Sequence, residues 1–215
     1  GDKIKAIMIV WQGGMESGNA VADLLSGKVS PSGRLADTII KDYNDFPSAK
    51  DFDGKIFNNY SEDIYVGYRY FETFKKDAVL YPFGYGLSYA KFEYSNLKVN
   101  KIDDTTFEVS YDIKNVSNID AKEVSQVYVR DIFSMVFREE KSLKGFSKDL
   151  IEAGKTKRVS IVLDKHAFAY YYVNNDEYYV ENGKFEIMVG ASSRDIYLSK
   201  TITIELDDNE QHSIY

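Results

Sequence analysis

The residues able to do chemistry are few and scattered. Gly13-Gly14-Met15-Glu16-Ser17-Gly18 has the glycine content of a phosphate-cradling turn at a helix start. It lacks the Gly-Lys-Ser/Thr ending and the Rossmann glycine spacing, so it reads as a plain strand-to-helix turn. His166 and His212 stand apart, with neither cysteine nor clustered carboxylates beside them, so neither points to a metal. Asp207-Asp208-Asn209-Glu210 has calcium-loop composition but is short and terminal, and a loose, solvated tail accounts for it. Asn115-Val116-Ser117 is a formal glycosylation sequon that turn chemistry explains equally well. Tyr170-Tyr171-Tyr172 and Tyr178-Tyr179 offer aromatic faces that suit pyranose rings. Consecutive side chains on a strand point to opposite faces, so at most half share a platform, and filling a half-buried sheet surface is the competing role. No metal and no cofactor is expected.

Composition narrows the classes. The 215 residues carry 27 positive and 34 negative charges, a net of −7, with no basic cluster larger than Lys155 to Arg158. Such a chain repels phosphate backbones, so no nucleic-acid partner is expected. No apolar run approaches the roughly 18 to 20 residues that span a bilayer, so no membrane is expected either. The chain has no cysteine, which excludes disulfide scaffolds, thiolate zinc sites and cysteine nucleophiles. With no secretory h-region after Gly1, the expected compartment is the cytoplasm, secretion being the alternative. Aromatic residues make up 15%, with 18 tyrosines, which fits strand-rich structure or sugar contacts.

Three stretches must position these groups. Ala6-Ile7-Met8-Ile9-Val10-Trp11 is a continuous apolar run, the pattern of a strand buried on both faces. A helix follows from Glu16 to Ser26, with Ala20, Val21, Leu24 and Leu25 on one face and Gly27 as its stop. A second short strand is predicted over residues 34–40. One helix cannot cover a strand that wants neighbours on both sides, so residues 1–40 read as the end of a larger α/β domain. Residues 41–89 are irregular, with turn-forming Asp53-Gly54 and Asn58-Asn59, yet too aromatic for a linker. They read as an ordered segment wrapped over a neighbouring domain. Residues 90–206 alternate with period two, as in Phe107-Glu108-Val109-Ser110-Tyr111-Asp112-Ile113. About seven short strands predict an antiparallel, immunoglobulin-like β-sandwich. Residues 207–215 form a polar tail. The fold class is therefore mainly β, a sandwich preceded by a partial strand–helix–strand unit and a wrapping loop.

Three motifs occur in order. The first runs from Gly18-Asn19-Ala20-Val21-Ala22-Asp23-Leu24-Leu25 to Pro31-Ser32-Gly33-Arg34-Leu35. The second is Ile64-Tyr65-Val66-Gly67-Tyr68-Arg69-Tyr70-Phe71, followed by Tyr81-Pro82-Phe83-Gly84-Tyr85-Gly86-Leu87-Ser88-Tyr89. The third joins Val124-Ser125-Gln126-Val127-Tyr128-Val129-Arg130, Leu143-Lys144-Gly145-Phe146 and Val189-Gly190-Ala191-Ser192-Ser193. Together they resemble glycoside hydrolase family 3, the β-glucosidases and their relatives, over nearly the whole chain. The resemblance implies a TIM-like barrel, an α/β sandwich and a fibronectin type III-like domain, of which this chain holds the end of the second and the third. Barrel and the rest of the α/β sandwich would be its partners, and a β-glucoside or oligosaccharide the substrate of the parent. The family's Ser-Asp-Trp-like nucleophile motif does not occur here, and its acid/base glutamate falls upstream of Gly1, so no catalytic residue is transferred. One departure is Arg138-Glu139-Glu140 where Arg-Pro is usual.

Retaining glycosidases need two carboxyl groups about 5 to 5.5 Å apart. Glu16, Asp37, Glu62 and Asp63 are the acids to weigh here. Glu16 fits a helix N-terminus better than catalysis. Glu62 and Asp63, in the wrapping stretch, are the candidate substrate-binding residues at an active-site rim; their competing role is to pair with Arg69 or backbone and hold the loop down. The expected function is a non-catalytic structural portion of a retaining β-glucosidase. Two other classes remain open, a carbohydrate-binding or adhesion module and a homo-oligomerisation module.

Overall fold

The computed structural model describes residues 4–52 and 56–212; the turn expected at Asp53-Gly54 lies outside them. Helix α1 (Ser17–Leu25) is followed by strand β1 (Ile39–Ile40), helix α2 (Tyr68–Phe74) and strand β2 (Val79–Tyr81). The strands β3 (Phe92–Lys101), β4 (Phe107–Asn115), β5 (Ala121–Asp131), β6 (Ser142–Ile151) and β7 (Thr156–Leu163) come next. A short hairpin, β8 (Tyr170–Tyr172) and β9 (Glu177–Tyr179), precedes β10 (Gly183–Gly190), β11 (Ile196–Ile204) and helix α3 (Asp208–His212).

Seven of these strands form the predicted sandwich. One sheet has the order β11-β10-β5-β6 and the other β3-β4-β7, every pair antiparallel. The period-two alternation explains why. In β4, Phe107, Val109, Tyr111 and Ile113 are all buried, and Phe185, Ile187 and Val189 of β10 meet them from the opposite sheet. Burying each such side chain stabilises the fold by about 1.5–3 kcal/mol. Tyr111 carries one polar atom into this core, and its hydroxyl lies 2.7 Å from Ser125 Oγ across the two sheets. Burial pushes its pKa up to about 12, so it stays a neutral hydrogen-bonding phenol. The register shifts at Val189/Gly190, where a Cβ on Gly190 would collide with the Asp195 carbonyl. Asn115 is fully buried: its Nδ2 donates to the Ile119 and Ile151 carbonyls at 2.8 and 2.9 Å, and its Oδ1 accepts from Ser117 N. The sequon is a turn.

The N-terminal unit differs from expectation. Residues 6–11 form no strand, and Ile7 and Trp11 are 68% and 74% exposed. No neighbouring strand among the described residues offers them backbone partners, and apolar sequence alone cannot supply one. Helix α1 forms as predicted and stops at Gly27, whose φ of 76° a glycine adopts without strain, but none of its residues is buried. Only Ile39–Ile40 of residues 34–40 becomes a strand, paired with β2. The tail also differs. Residues 208–212 are helical, with Asp207 Oδ1 accepting from Glu210 N and Glu210 Oε2 accepting from Asp207 N. These reciprocal caps use the carboxylates read from composition as calcium-like or loose.

Within residues 41–89 the described part has a small core of its own. Phe71, Ala78 and Val79 make a small second core with Ile40, Phe46 and Tyr70.

Candidate functional site

Glu62 and Asp63 sit on a turn over residues 61–64 just before α2. Asp63 takes a φ of 53°, a region that non-glycine residues enter at some cost, so the surrounding fold must hold it there. Asp63 is exposed and Glu62 half-buried. Arg69 does not pair with either; its Nη2 is directed to Ser142 Oγ at 3.4 Å. Tyr65, anchored two residues later, donates its hydroxyl to the Phe137 carbonyl at 3.1 Å and packs between the rings of Phe74 (4.9 Å) and Phe137 (5.9 Å). Burial first, then the negative charge of Glu139 and of Asp63, raises the Tyr65 pKa. Tyr65, Phe74 and Phe137 thus form one aromatic ledge whose outer ring, Phe137, is 70% exposed, just after the turn that carries Asp63. Exposed acids beside such aromatic rings are the kinds of group that hydrogen-bond sugar hydroxyls and stack on pyranose faces.

The wrapping segment is pinned to the sandwich by buried charge. Glu72 of α2, nearly inaccessible, accepts from Arg194 Nε at 2.7 Å and lies 3.7 Å from Lys141 Nζ. Arg34 reaches across to Glu123 of β5, donating to its Oε2 and to the Gly86 carbonyl, while the Tyr94 hydroxyl donates to Glu123 Oε1 at 2.8 Å. Tyr94 is driven far above the ordinary phenol range by burial and the adjacent Glu123 charge, so it donates and does not ionise. Tyr68 stacks on Phe83 at 4.6 Å and accepts from Leu143 N. Gly84, with a φ of 80°, lies so close to the Gln126 amide that any side chain there would collide with it. Breaking one partner of such a buried pair leaves an uncompensated charge, which costs roughly 3–5 kcal/mol.

The remaining candidates separate. Glu16 accepts from the Asn19 side chain and makes no backbone cap. Asp37 accepts from Thr38 N at 2.7 Å. The Gly13-Gly14 turn simply enters α1, with Ser17 N bonding to the Gly14 carbonyl. His212 bonds Glu177, which lowers that carboxyl's pKa, and its ring lies 4.9 Å from Tyr179. The tyrosine row divides as strand geometry requires. Tyr170, Tyr172 and Tyr179 cluster on one face with Arg138 over the Tyr170 ring at 5.1 Å, and Tyr171 and Tyr178 meet on the other. Glu139, Phe137 and the clamp residues escaped sequence reasoning because their partners lie far away in the chain, 72 residues apart for Tyr65 and Phe137. The one sequence signal was the Arg138-Glu139-Glu140 departure at this loop.

Comparison with known proteins agrees in both halves. Residues 1–89 match the glycosyl hydrolase family 3 C-terminal domain and residues 123–193 the fibronectin type III-like domain. The chain is 44% identical to thermostable beta-glucosidase B of Acetivibrio thermocellus, over 94% of this chain and 27% of that protein. It is 43% identical to an exo-alpha-(1->6)-L-arabinopyranosidase of Bifidobacterium breve, over 96% of this chain and 27% of that protein. Among solved structures, beta-glucosidase 3B from Thermotoga neapolitana, in complex with alpha-D-glucose, superposes with a TM-score of 0.86 at 42% identity, covering 92% of this chain and 28% of that one. The chain thus spans little more than a quarter of the length of the curated relatives it matches.

Proposed function

Because the chain belongs to glycoside hydrolase family 3, we propose that it is the non-catalytic scaffold portion of a longer retaining, exo-acting β-glycosidase. The longer protein hydrolyses terminal β-glycosidic bonds by double displacement through a covalent glycosyl-enzyme intermediate. Its nucleophile and acid/base lie outside these 215 residues, on the TIM-like barrel and the rest of the α/β sandwich. In this reading residues 1–40 complete that α/β domain, residues 41–89 strap it to the sandwich, and Glu62 and Asp63 stand at the rim of the substrate site. The observation that carries the scaffold role is the fate of the three buried glutamates, of which Glu181 accepts from Ser134 Oγ and Met135 N. Glu72 and Glu123 are both held in ion pairs, Glu72 fastening the strap to Lys141 and Arg194 and Glu123 fastening the sandwich to Arg34. A carboxylate fixed in this way is unavailable to attack or protonate a sugar. The sugar itself is chosen elsewhere: relatives named for a glucosidase and for an arabinopyranosidase match this segment equally well.

Hydrolysis of 4-nitrophenyl β-D-glucopyranoside tests the assignment. The purified 215-residue chain is expected to give no turnover. In the longer enzyme, Glu62→Gln with Asp63→Asn is expected to raise KM several-fold, each lost hydrogen bond to a charged group contributing about 1.5–3 kcal/mol at most, with kcat held. Turnover by the chain alone, abolished by Asp63→Asn, overturns the scaffold role. A collapse of kcat in the longer enzyme moves these acids from the rim to the chemistry.

A further inference from the structure

We propose that the concavity at the bulge of β3 is a carbohydrate-binding site, taking one end of a gluco-oligosaccharide between Glu93, Lys114 and Tyr197. β3 is an edge strand, and its pairing with β4 slips between Ser95 and Lys98. Asn96 stands in the slip with a φ of 56°, a conformation that asparagine enters more readily than most residues. Its Nδ2 donates to Asp112 Oδ2 at 2.8 Å, and Arg158 Nη1 donates to Asp112 Oδ1 at 2.8 Å, which ties the bulge to β4 and β7. A bulged strand bends, and the concavity lies at this bend. Its volume of about 550 Å³ falls in the range of about 300–1,000 Å³ that small-molecule sites occupy.

Strand alternation selects the groups that line it. Tyr94 and Ile113 turn to the core, so Glu93, Ser95 and Lys114 stand on the outer face, with Thr156 of β7 opposite Lys114. Further along this face the polar side chains satisfy one another: Ser160 donates to Glu108, and Arg158 donates to Ser110 and Asp112. In the concavity they do not. Glu93 and Lys114 are opposite in register yet make no ion pair, and neither they nor the Ser95 and Thr156 hydroxyls have a side-chain partner among the described residues. Tyr197 of β11, a strand of the facing sheet that runs beside β3, lines the same concavity. Its ring is 52% exposed and rests 4.8 Å from that of Tyr94, whose hydroxyl is itself fixed on Glu123. A carboxylate acceptor, an ammonium donor and two hydroxyls thus border one open aromatic wall. Neighbouring sugar hydroxyls donate to the carboxylate and accept from the ammonium, while a pyranose C–H face covers the ring. A zwitterion uses the two charges and leaves the hydroxyls and the ring idle.

The choice of a gluco-oligosaccharide rests on the glycosidase reading above; the groups that recognise a carbohydrate do not depend on it. NMR titration of the 215-residue chain with cellotetraose provides the test, in the millimolar range where so open a site binds. Saturable shifts are expected at residues 93–96, 112–114 and 197 and not elsewhere. Tyr197→Ala is expected to lower the affinity about fivefold or more, and Glu93→Gln with Lys114→Gln about tenfold. Both charges of the double variant are exposed and unpaired, so it keeps its fold and its result stands even where Tyr197→Ala disturbs Tyr94. The absence of site-selective shifts, an affinity unchanged in the double variant, or the same shifts produced by free glycine overturns the proposal. If the longer enzyme cleaves aryl β-glucosides while the chain ignores cellotetraose, this site alone falls. If the titration saturates while the longer enzyme cleaves no β-glycoside, the site stands and the glycosidase reading falls.

Discussion

Residues 6–11 are apolar throughout and strand β10 is apolar at only half its positions, yet their fates run the other way. Ile7 is 68% exposed, whereas Ile187 is completely buried between β5 and β11. Hydrophobicity is a property of the segment, but burial belongs to the pair of surfaces that meet. β10 finds two antiparallel neighbours and an opposing sheet inside this chain. Residues 6–11 find neither among the described residues, so an apolar sequence remains unpaired and wet.

Hydrogen exchange offers the largest test of that contrast. Amides of β10 are expected to be protected close to the global free energy of unfolding, about 5–15 kcal/mol, and those of residues 6–11 hardly at all. Equal protection in the two segments breaks the comparison. Mutation reads the same contrast on a smaller scale. Ile187→Ala is expected to cost about 2–5 kcal/mol in urea unfolding, and Ile7→Ala less than about 0.5 kcal/mol. A comparable loss at Ile7 means that residues 6–11 are packed in solution.

The smallest effect lies at the sandwich edge and separates core burial from surface charge. Burial acts to raise the Asp149 pKa, but hydrogen bonds from Lys157 and Ser147 and the Lys157 charge prevail and lower it. A lowered carboxylate stabilises the fold above its unfolded pKa of about 3.9, and that stability is lost as pH falls through the folded value. Wild type is therefore expected to lose stability more steeply below about pH 4 than Lys157→Met, by no more than about 1 kcal/mol for so exposed a pair. Identical acid profiles exclude the pair as a source of stability.

Legibility followed the same division. The strands of the sandwich were readable because period-two alternation records which face is buried, as Phe107, Val109, Tyr111 and Ile113 illustrate. Asn115 was readable as a turn from its bonds to Ser117 and Ile119 close by in the chain, whereas its bond to the Ile151 carbonyl was not. Glu62 and Asp63 were readable as acids on a loop, but their ledge was not. It depends on Tyr65 meeting Phe137 and Glu139 from a different element. The tail was misread from its composition, although the Asp207-to-Glu210 spacing of three is the local signature of reciprocal caps.

The sequence by itself determined the mainly β class and the family, because these rest on local periodicity and contiguous motifs. Only the tertiary structure decided that Glu72 and Glu123 are clamps and that Tyr65 packs against Phe137. Each of these is a meeting of residues distant in the chain, and their fields and hydrogen bonds act over a few ångströms of space, whatever their separation in sequence.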